Sequence, residues 1–454
     1  MNEDQGQESL HHHFKSGSRH VGDVACMSSD GRGIIKSRGQ VLFANGVVTG
    51  DRVAFAPNLS VKPCEADNPK VLKLSVHRCE HPCRHAKECP GSRWGILSYQ
   101  QQLKEKTELV RRVMRGVTDE ARVQDIVPSP QPWGYRNRLT LQVRREEHGG
   151  AELGYATKAR GEGFTPIRKC LLATEPVTQA VAHAIWVLRD MRELGKVLLP
   201  DRISFFETAA GTGALAIFKG WPKETDVQNF LELARKIELP GGIWAATANQ
   251  AGIVGERGMF WREEECRAMQ ADWLGHKLEV HPAAFTQANQ SAFAHVLEDL
   301  HSQASEIGRE VIWDLYGGYG ALGFAAAAGG SRVHVVEQNG LAKSTFEQLR
   351  ILSPSVEGKF VHGEVAALLP DLMNRMAAND VVILDPPRNG CHPKVLTMLG
   401  ESHVRRVVYL SCNPARLARD MKILARTGFQ VNSVQPIDFF PQTPEIEVLA
   451  TAIR

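Results

Sequence analysis

The sequence predicts an α/β protein with a carboxyl-terminal doubly wound sheet, an amino-terminal OB-like β-barrel and a central α+β region. Three observations carry that expectation. The run opening at Glu310, with Val333–Val336, Val381–Leu384 and Val407–Leu410, is short and apolar, and each run ends in a polar motif, as parallel strands buried on both faces do. Residues 21–76 hold short strands broken by Gly31, Gly33, Gly39 and Gly50, the spacing of a small barrel. At 454 residues the chain exceeds the size of one domain.

Composition narrows the class further. A hydrophobic content of 43% with 23% charged residues is that of a soluble globular protein, and a net charge of +3 does not by itself announce a polyanion. No apolar run reaches the length of a membrane helix, and the amino terminus has no signal-peptide core, so no membrane partner and a cytoplasmic location are expected. Nine cysteines in such a compartment are expected to serve metal or catalysis rather than disulfides.

In chain order, residues 1–20 read as a polar tail carrying His11–His13. After the barrel, Cys79, Cys83 and Cys89 form the densest cysteine cluster, with Cys170 the obvious fourth thiolate. Loop spacings of this kind wrap one metal centre, and both an iron–sulfur cluster and a structural zinc fit them. Ile96 to Arg115 has helical periodicity and stops at Gly116. Between Trp133 and Lys169 a hairpin turns at Gly149-Gly150. There Arg136, Arg138, Arg144, Arg145, Lys158, Arg160, Arg168 and Lys169 outnumber Glu146, Glu147, Glu152 and Glu162, with Tyr135 and Tyr155 interleaved. Basic charge with aromatics suits an RNA backbone and unstacked bases, and a solvated sheet face is the plainer alternative. A helix is expected from about Gln290 to His301.

The first strand of the carboxyl-terminal sheet ends in Tyr316-Gly317-Gly318-Tyr319-Gly320, followed by a small-residue helix over 321–328. Glycines there let the backbone approach a ligand, and the helix start favours anionic groups. Glu337 closes the second strand, where an acid accepts from a ribose diol. Asp385-Pro386-Pro387-Arg388 follows a later strand. That order favours S-adenosylmethionine over a dinucleotide. The run 406–420 (RVVYLSCNPARLARD) is a buried strand, a turn and a basic helix, with Cys412 at the carboxyl end of the strand, where open α/β sheets hold ligands.

Together these segments resemble the RNA uracil-5 methyltransferases, most closely the 23S ribosomal RNA members with a TRAM barrel. The matching stretches are YRNR (135–138), FTQAN (285–289), DLYGGYG (314–320), DPPRNG (385–390), LSCNP (410–414) and DFFPQTPEIE (438–447). The resemblance implies a Rossmann-like methyltransferase domain over 97–127 and 276–454, a central RNA-binding domain over 77–96 and 128–275, and the TRAM barrel over 21–76. It implies Cys412 as nucleophile and Glu447 as base. It places Gln287, Tyr316, Gly318, Glu337, Glu364 and Asp385 around S-adenosylmethionine or the uracil edge. A [4Fe-4S] cluster on Cys79, Cys83, Cys89 and Cys170 is expected from the same source, with RNA as partner, ribosomal rather than transfer, and a monomeric enzyme.

The chain departs from the family at Gly317 and Ala321 (usually cysteine and asparagine), at Glu364 (usually aspartate) and at Ser92, the third place of the C-x5-C-x2-C loop. Glu445 replaces a histidine and is expected to raise Glu447 through like charge. Two other readings stay open: a non-catalytic RNA-binding iron–sulfur protein, and an RNA cytosine-5 methyltransferase, against which Arg388 follows Pro387 and Cys391 lies further on.

Overall fold

The computed structural model describes residues 19–145, 151–156, 163–193, 199–208, 214–221, 243–247, 260–262, 269–281, 284–304 and 311–454. The His11–His13 tail, the Gly149-Gly150 turn, Glu146, Glu147, Lys158, Arg160 and Glu162 lie outside them. The chain forms two compact units, residues 1–112 with 440–445, and residues 113–439 with 446–454. This division differs from the expected one, because residues 77–96 and most of the first long helix fall with the barrel.

The first unit contains the expected closed barrel, with strands His20–Met27, Gly33–Ser37, Gln40–Ala44, Glu65–Lys73 and Arg52–Asn58 in that spatial order. Alternating inward residues fill it, among them Val24, Ile35, Leu42, Val53 and Phe55. Arg38 (φ 48°) and Gly39 (φ 75°) make the two-residue turn between the second and third strands, where both positions need left-handed backbone. The helix Tyr99–Met114 stops as expected at Gly116, whose φ of 71° favours glycine. On this helix the ammonium of the fully buried Lys106 donates to the carbonyls of Phe440 and Glu445 at 3.0 and 2.9 Å, and Gln102 bonds Gln442. These bonds draw the short segment 440–445 into the first unit.

The second unit holds two seven-stranded sheets. One orders its strands Phe260–Arg262, Ile243–Thr247, Ala214–Trp221, Arg202–Glu207, Arg138–Arg145, Ala151–Ala156 and Phe164–Pro166. Helix Glu175–Glu193 covers it, and Leu141, Val177, Val181, Ile203 and Phe205 form the seam. The other sheet runs Glu357–His362, Arg332–Glu337, Val311–Leu315, Val381–Leu384, Arg406–Ser411, Glu447–Ile453 and Gln430–Ile437. Numbered along the chain, that order is 3-2-1-4-5-7-6. The first five strands are parallel, and Glu447–Ile453 runs antiparallel between its neighbours. The expected apolar runs are its central strands; every residue of Val311–Leu315 and Val381–Leu384 is buried. Among the described residues no helix is long and apolar enough to cross a membrane.

Candidate active site

The site lies at the carboxyl ends of the parallel strands, beside the point where the chain leaves strand 311–315 toward 332–337 on one side and strand 381–384 pairs on the other. In open α/β sheets this switch point leaves a crevice. The backbone there is bent into left-handed conformations at Tyr316 (φ 61°), Gly318 (φ 56°) and Gly320 (φ 90°). For a bulky aromatic such as Tyr316 that conformation carries strain. Its N–H is fastened to the Val336 carbonyl at 3.0 Å, and its hydroxyl lies at the His392 backbone N–H.

Three acids crowd this turn. Asp314 is fully buried; its Oδ2 accepts from the Gly323 N–H at 2.9 Å, while Oδ1 is buried with no hydrogen-bond partner. Glu337 accepts from the Gly318 N–H at 3.1 Å and the Asn339 N–H at 2.7 Å. Asp385 follows strand 381–384. Burial, opposed by the Gly323 bond and reinforced by Glu337, pushes Asp314 up to about 7. Burial and then the charges of Asp314 and Glu337 push Asp385 up to about 8. Beyond Gly318 there is open space where a side chain would be. Acids gathered at a turn with open space at Gly318, one with an unpartnered buried oxygen, fit a nucleoside that carries positive charge, as S-adenosylmethionine does.

The departure at Gly317 has a physical reason. A Cβ there would stand 2.6 Å from Cγ of Asp314, so the space of the family's cysteine is taken by the Asp314 carboxyl. Gln287 is buried, and its backbone carbonyl accepts from Asn137 and Gln290. Next to it the fully buried Asn289 caps helix Gln290–Ser302 and donates to Ser129 and to the Phe439 carbonyl. Glu364 is exposed at the start of helix Val365–Leu372, and its charge reaches the Tyr316 hydroxyl.

Cys412 leaves strand 406–411 half-buried, and Asn413, not the cysteine, caps the helix Pro414–Ala425 by accepting from the Arg416 N–H at 3.3 Å. The pairing of Ser411 with Val448 in the antiparallel neighbour puts Glu447 one step further, at the same edge as Cys412. Glu447 is buried, and burial first and Asp385 second hold its carboxyl well above the usual range, with Arg388 opposing them. Burial, then the Glu447 charge, pushes the Cys412 thiol up to about 11, again against Arg388. Glu445 is exposed and is not among the causes of the Glu447 shift, which corrects the expectation placed on it.

The loop carrying Arg388 is clamped by residues that the sequence did not single out. Asp420 is fully buried; its Oδ2 accepts from the Tyr409 hydroxyl at 2.6 Å and the Cys391 N–H at 2.9 Å, and its Oδ1 pairs with Arg419. Arg419 also donates to the Asn389 and Cys391 carbonyls. Cys391 is buried and its thiol is pushed far up by that burial, so it is a packing residue of this clamp.

The basic hairpin presents less than was expected. Tyr135 is buried and cannot stack a base, and Tyr155 packs against the central core. Arg138 is recessed with its guanidinium over the exposed Phe285 ring at 4.9 Å, and Arg144 pairs with Glu152.

Of the four cysteines expected to hold a metal, Cys79, Cys83 and Cys89 belong to the first unit and Cys170 to the second. Among the described residues no group of three or more His, Cys, Asp or Glu side chains converges. The Cys79 thiol is within 3.5 Å of the Gly95 carbonyl, the Cys89 sulfur accepts from the Gly91 N–H, and Ser92 stands in the third place of the loop. Cys170 packs on the apolar core of the central sheet in the second unit. These residues do not fit a four-thiolate cluster.

The family model described as tRNA (uracil-5-)-methyltransferase matches residues 368–451, a span that includes Asp385, Cys412 and Glu447. An uncharacterized RNA methyltransferase of Gloeobacter violaceus is 30% identical over 454 residues, covering 95% of each chain. Another, from Geobacter sulfurreducens, is 27% identical and covers 95% of this chain and 89% of its own. Among solved structures, the tRNA (uracil-54, C5)-methyltransferase of Pyrococcus abyssi in complex with S-adenosyl-L-homocysteine has the same fold. It superposes with a TM-score of 0.72 at 20% identity, covering 96% of this chain and all of that one.

Proposed function

The chain belongs to the S-adenosylmethionine-dependent RNA uracil-5 methyltransferase family, and from that premise we propose that it converts a uridine of 23S ribosomal RNA to 5-methyluridine through a covalent Cys412 adduct. The observation that supports this reading is the register of strands 406–411 and 447–453, which sets a thiol and a buried carboxyl side by side at the carboxyl end of strand 406–411.

Asp314, Glu337, Asp385 and the Tyr316–Gly320 turn, with Gln287 and Glu364, would hold S-adenosylmethionine, which when bound supplies an electrophilic methyl group. Carbon 5 of uracil is a poor nucleophile, and Cys412 corrects that. After its proton passes to solvent, its sulfur bonds to carbon 6, and the electron pair of the 5,6 double bond moves onto the oxygen at carbon 4. Carbon 5 of this enolate is then the nucleophile to which the bound cofactor would give its methyl group, with a neutral thioether as the leaving group. Glu447, whose charged form Arg388 favours, then removes the carbon-5 proton. The electrons restore the double bond, the carbon–sulfur bond breaks and Cys412 leaves as thiolate. Arg388 is the cation that favours the charged forms of both residues. The target base must leave its stack to reach them.

Ribosomal RNA is favoured by the combination of an amino-terminal barrel with a cysteine-bearing loop. Transfer RNA is the second reading, favoured by the description of the matching family model and by the substrate of the Pyrococcus enzyme. Ribosomal and transfer RNA transcripts tritiated at carbon 5 of uridine separate the two. Tritium released to water from the ribosomal transcript supports the proposal, and release from the transfer RNA alone moves the substrate. No release from either removes the carbon-5 chemistry.

A further inference from the structure

The loop between His77 and Ser98 is closed without a metal. Its ends pair: the Cys79 N–H donates to the Ile96 carbonyl at 2.9 Å and the Ser98 N–H to the His77 carbonyl at 2.8 Å, with Arg78 bridged to Leu97. Arg78 also reaches the fully buried Asp51 carboxylate of the barrel. Inside the loop sits the His81 ring. Its Nδ1 accepts from the Cys83 N–H at 3.0 Å, and its Nε2 lies 2.8 Å from the Ser92 carbonyl and 3.2 Å from the Ser92 hydroxyl. With Nδ1 accepting from a backbone N–H, Nε2 is the nitrogen that donates to Ser92. Gly95 leaves room for it, since a Cβ there would be 2.4 Å from Nε2.

Two positions that a cluster loop would use for ligands are engaged otherwise. Ser92, buried, offers oxygen where the family has a thiolate, and Cys89 spends its sulfur on the Gly91 N–H at the start of the turn Pro90–Ile96. We infer that in this chain the His81 imidazole, bonded to Ser92 and Cys83 and seated on Gly95, organises the 77–98 loop in place of an iron–sulfur cluster. The loop then folds without iron and is indifferent to oxygen and chelators.

The test uses the full chain purified anaerobically from iron-supplied cells. Wild-type protein is expected to hold no stoichiometric iron or sulfide. About four irons per chain, as a [4Fe-4S] centre requires, would overturn the inference. Limited trypsin digestion reads the loop directly, because Arg84 and Lys87 are exposed within it. His81→Ala is expected to speed cleavage at these two residues by about tenfold, the effect of one lost hydrogen bond on loop opening. His81→Gln, which keeps an N–H for Ser92, should fall between. Cleavage of His81→Ala at the wild-type rate would remove His81 from its role. If that variant does not fold, the iron content of the wild type decides alone. Neither readout involves methyl transfer, so this inference and the proposed function fail separately.

Discussion

Cys89 stands one residue and Cys412 two residues before a proline that opens a helical turn, yet the fold uses them differently. At Cys89 the sulfur is itself the cap, accepting from the Gly91 N–H at 3.4 Å. At Cys412 the capping falls to Asn413, one residue on, and the thiol stays at the sheet edge beside Glu447. The first four N–H groups of any helix need acceptors, and which side chain supplies one decides whether a neighbouring thiol is structural or available for chemistry. The two regions also differ in what positions them. Cys412 is placed by strand register, which tolerates change elsewhere; the 77–98 loop is placed by side-chain bonds, so one exchange such as Ser92 alters what it can hold.

The widest gap between the two should appear on substitution of the cysteines. Cys412→Ala is expected to lower methyl transfer by on the order of 10^4-fold or more while RNA stays bound. Cys83→Ala and Cys89→Ala should stay within a few-fold of wild type. Single-turnover rates with labelled S-adenosylmethionine measure both, and equal losses would erase the distinction drawn here.

Next in size is the clamp behind the reactive edge. Asp420→Ala strips the Tyr409 hydroxyl, the Cys391 N–H and Arg419 of their buried acceptor. The cost should be about 3–5 kcal/mol of stability, read from urea unfolding. A cost below about 1 kcal/mol would show that the loop holding Arg388 is set by something else.

The smallest effect is a pH dependence confined to the second unit. Asp314 and Asp385 sit at about 7 and about 8 when folded, above the roughly 3.9 of an unfolded aspartate. Between about pH 4 and 8 the folded chain therefore holds protons that the unfolded chain has released, and stability falls as pH rises through that window. A decline is expected in protein without cofactor, and Asp385→Asn should flatten its upper part. Stability that rises with pH there would contradict the burial of these acids.

Much of this was legible in sequence. The apolar runs marked the parallel strands because both faces of such a sheet are buried, and Gly116 marked the end of its helix. Cys412, Glu337 and Asp385 were found because each ends one of those strands. Asp314 was missed although it lies in the quoted DLYGGYG, since an acid inside an apolar run gives no periodic signal. The Asp420–Tyr409–Arg419 clamp depends on how a helix face meets a loop nearly thirty residues away in sequence, which spacing does not encode. Composition assigns Tyr135 to an RNA surface, yet the segment leading into strand 138–145 buries it. Cysteine spacing counts thiols and does not show that the Cys89 sulfur caps a turn or that Ser92 bonds the His81 ring.

The pairing of Cys412 with Glu447 is tested most directly by trapping. Glu447→Gln keeps the nucleophile but removes the base that must take the carbon-5 proton before Cys412 can leave. Incubated with S-adenosylmethionine and labelled RNA, it is expected to give a protein–RNA band that survives denaturation and that Cys412→Ala abolishes. Continued formation of 5-methyluridine by Glu447→Gln with no such band would contradict the account.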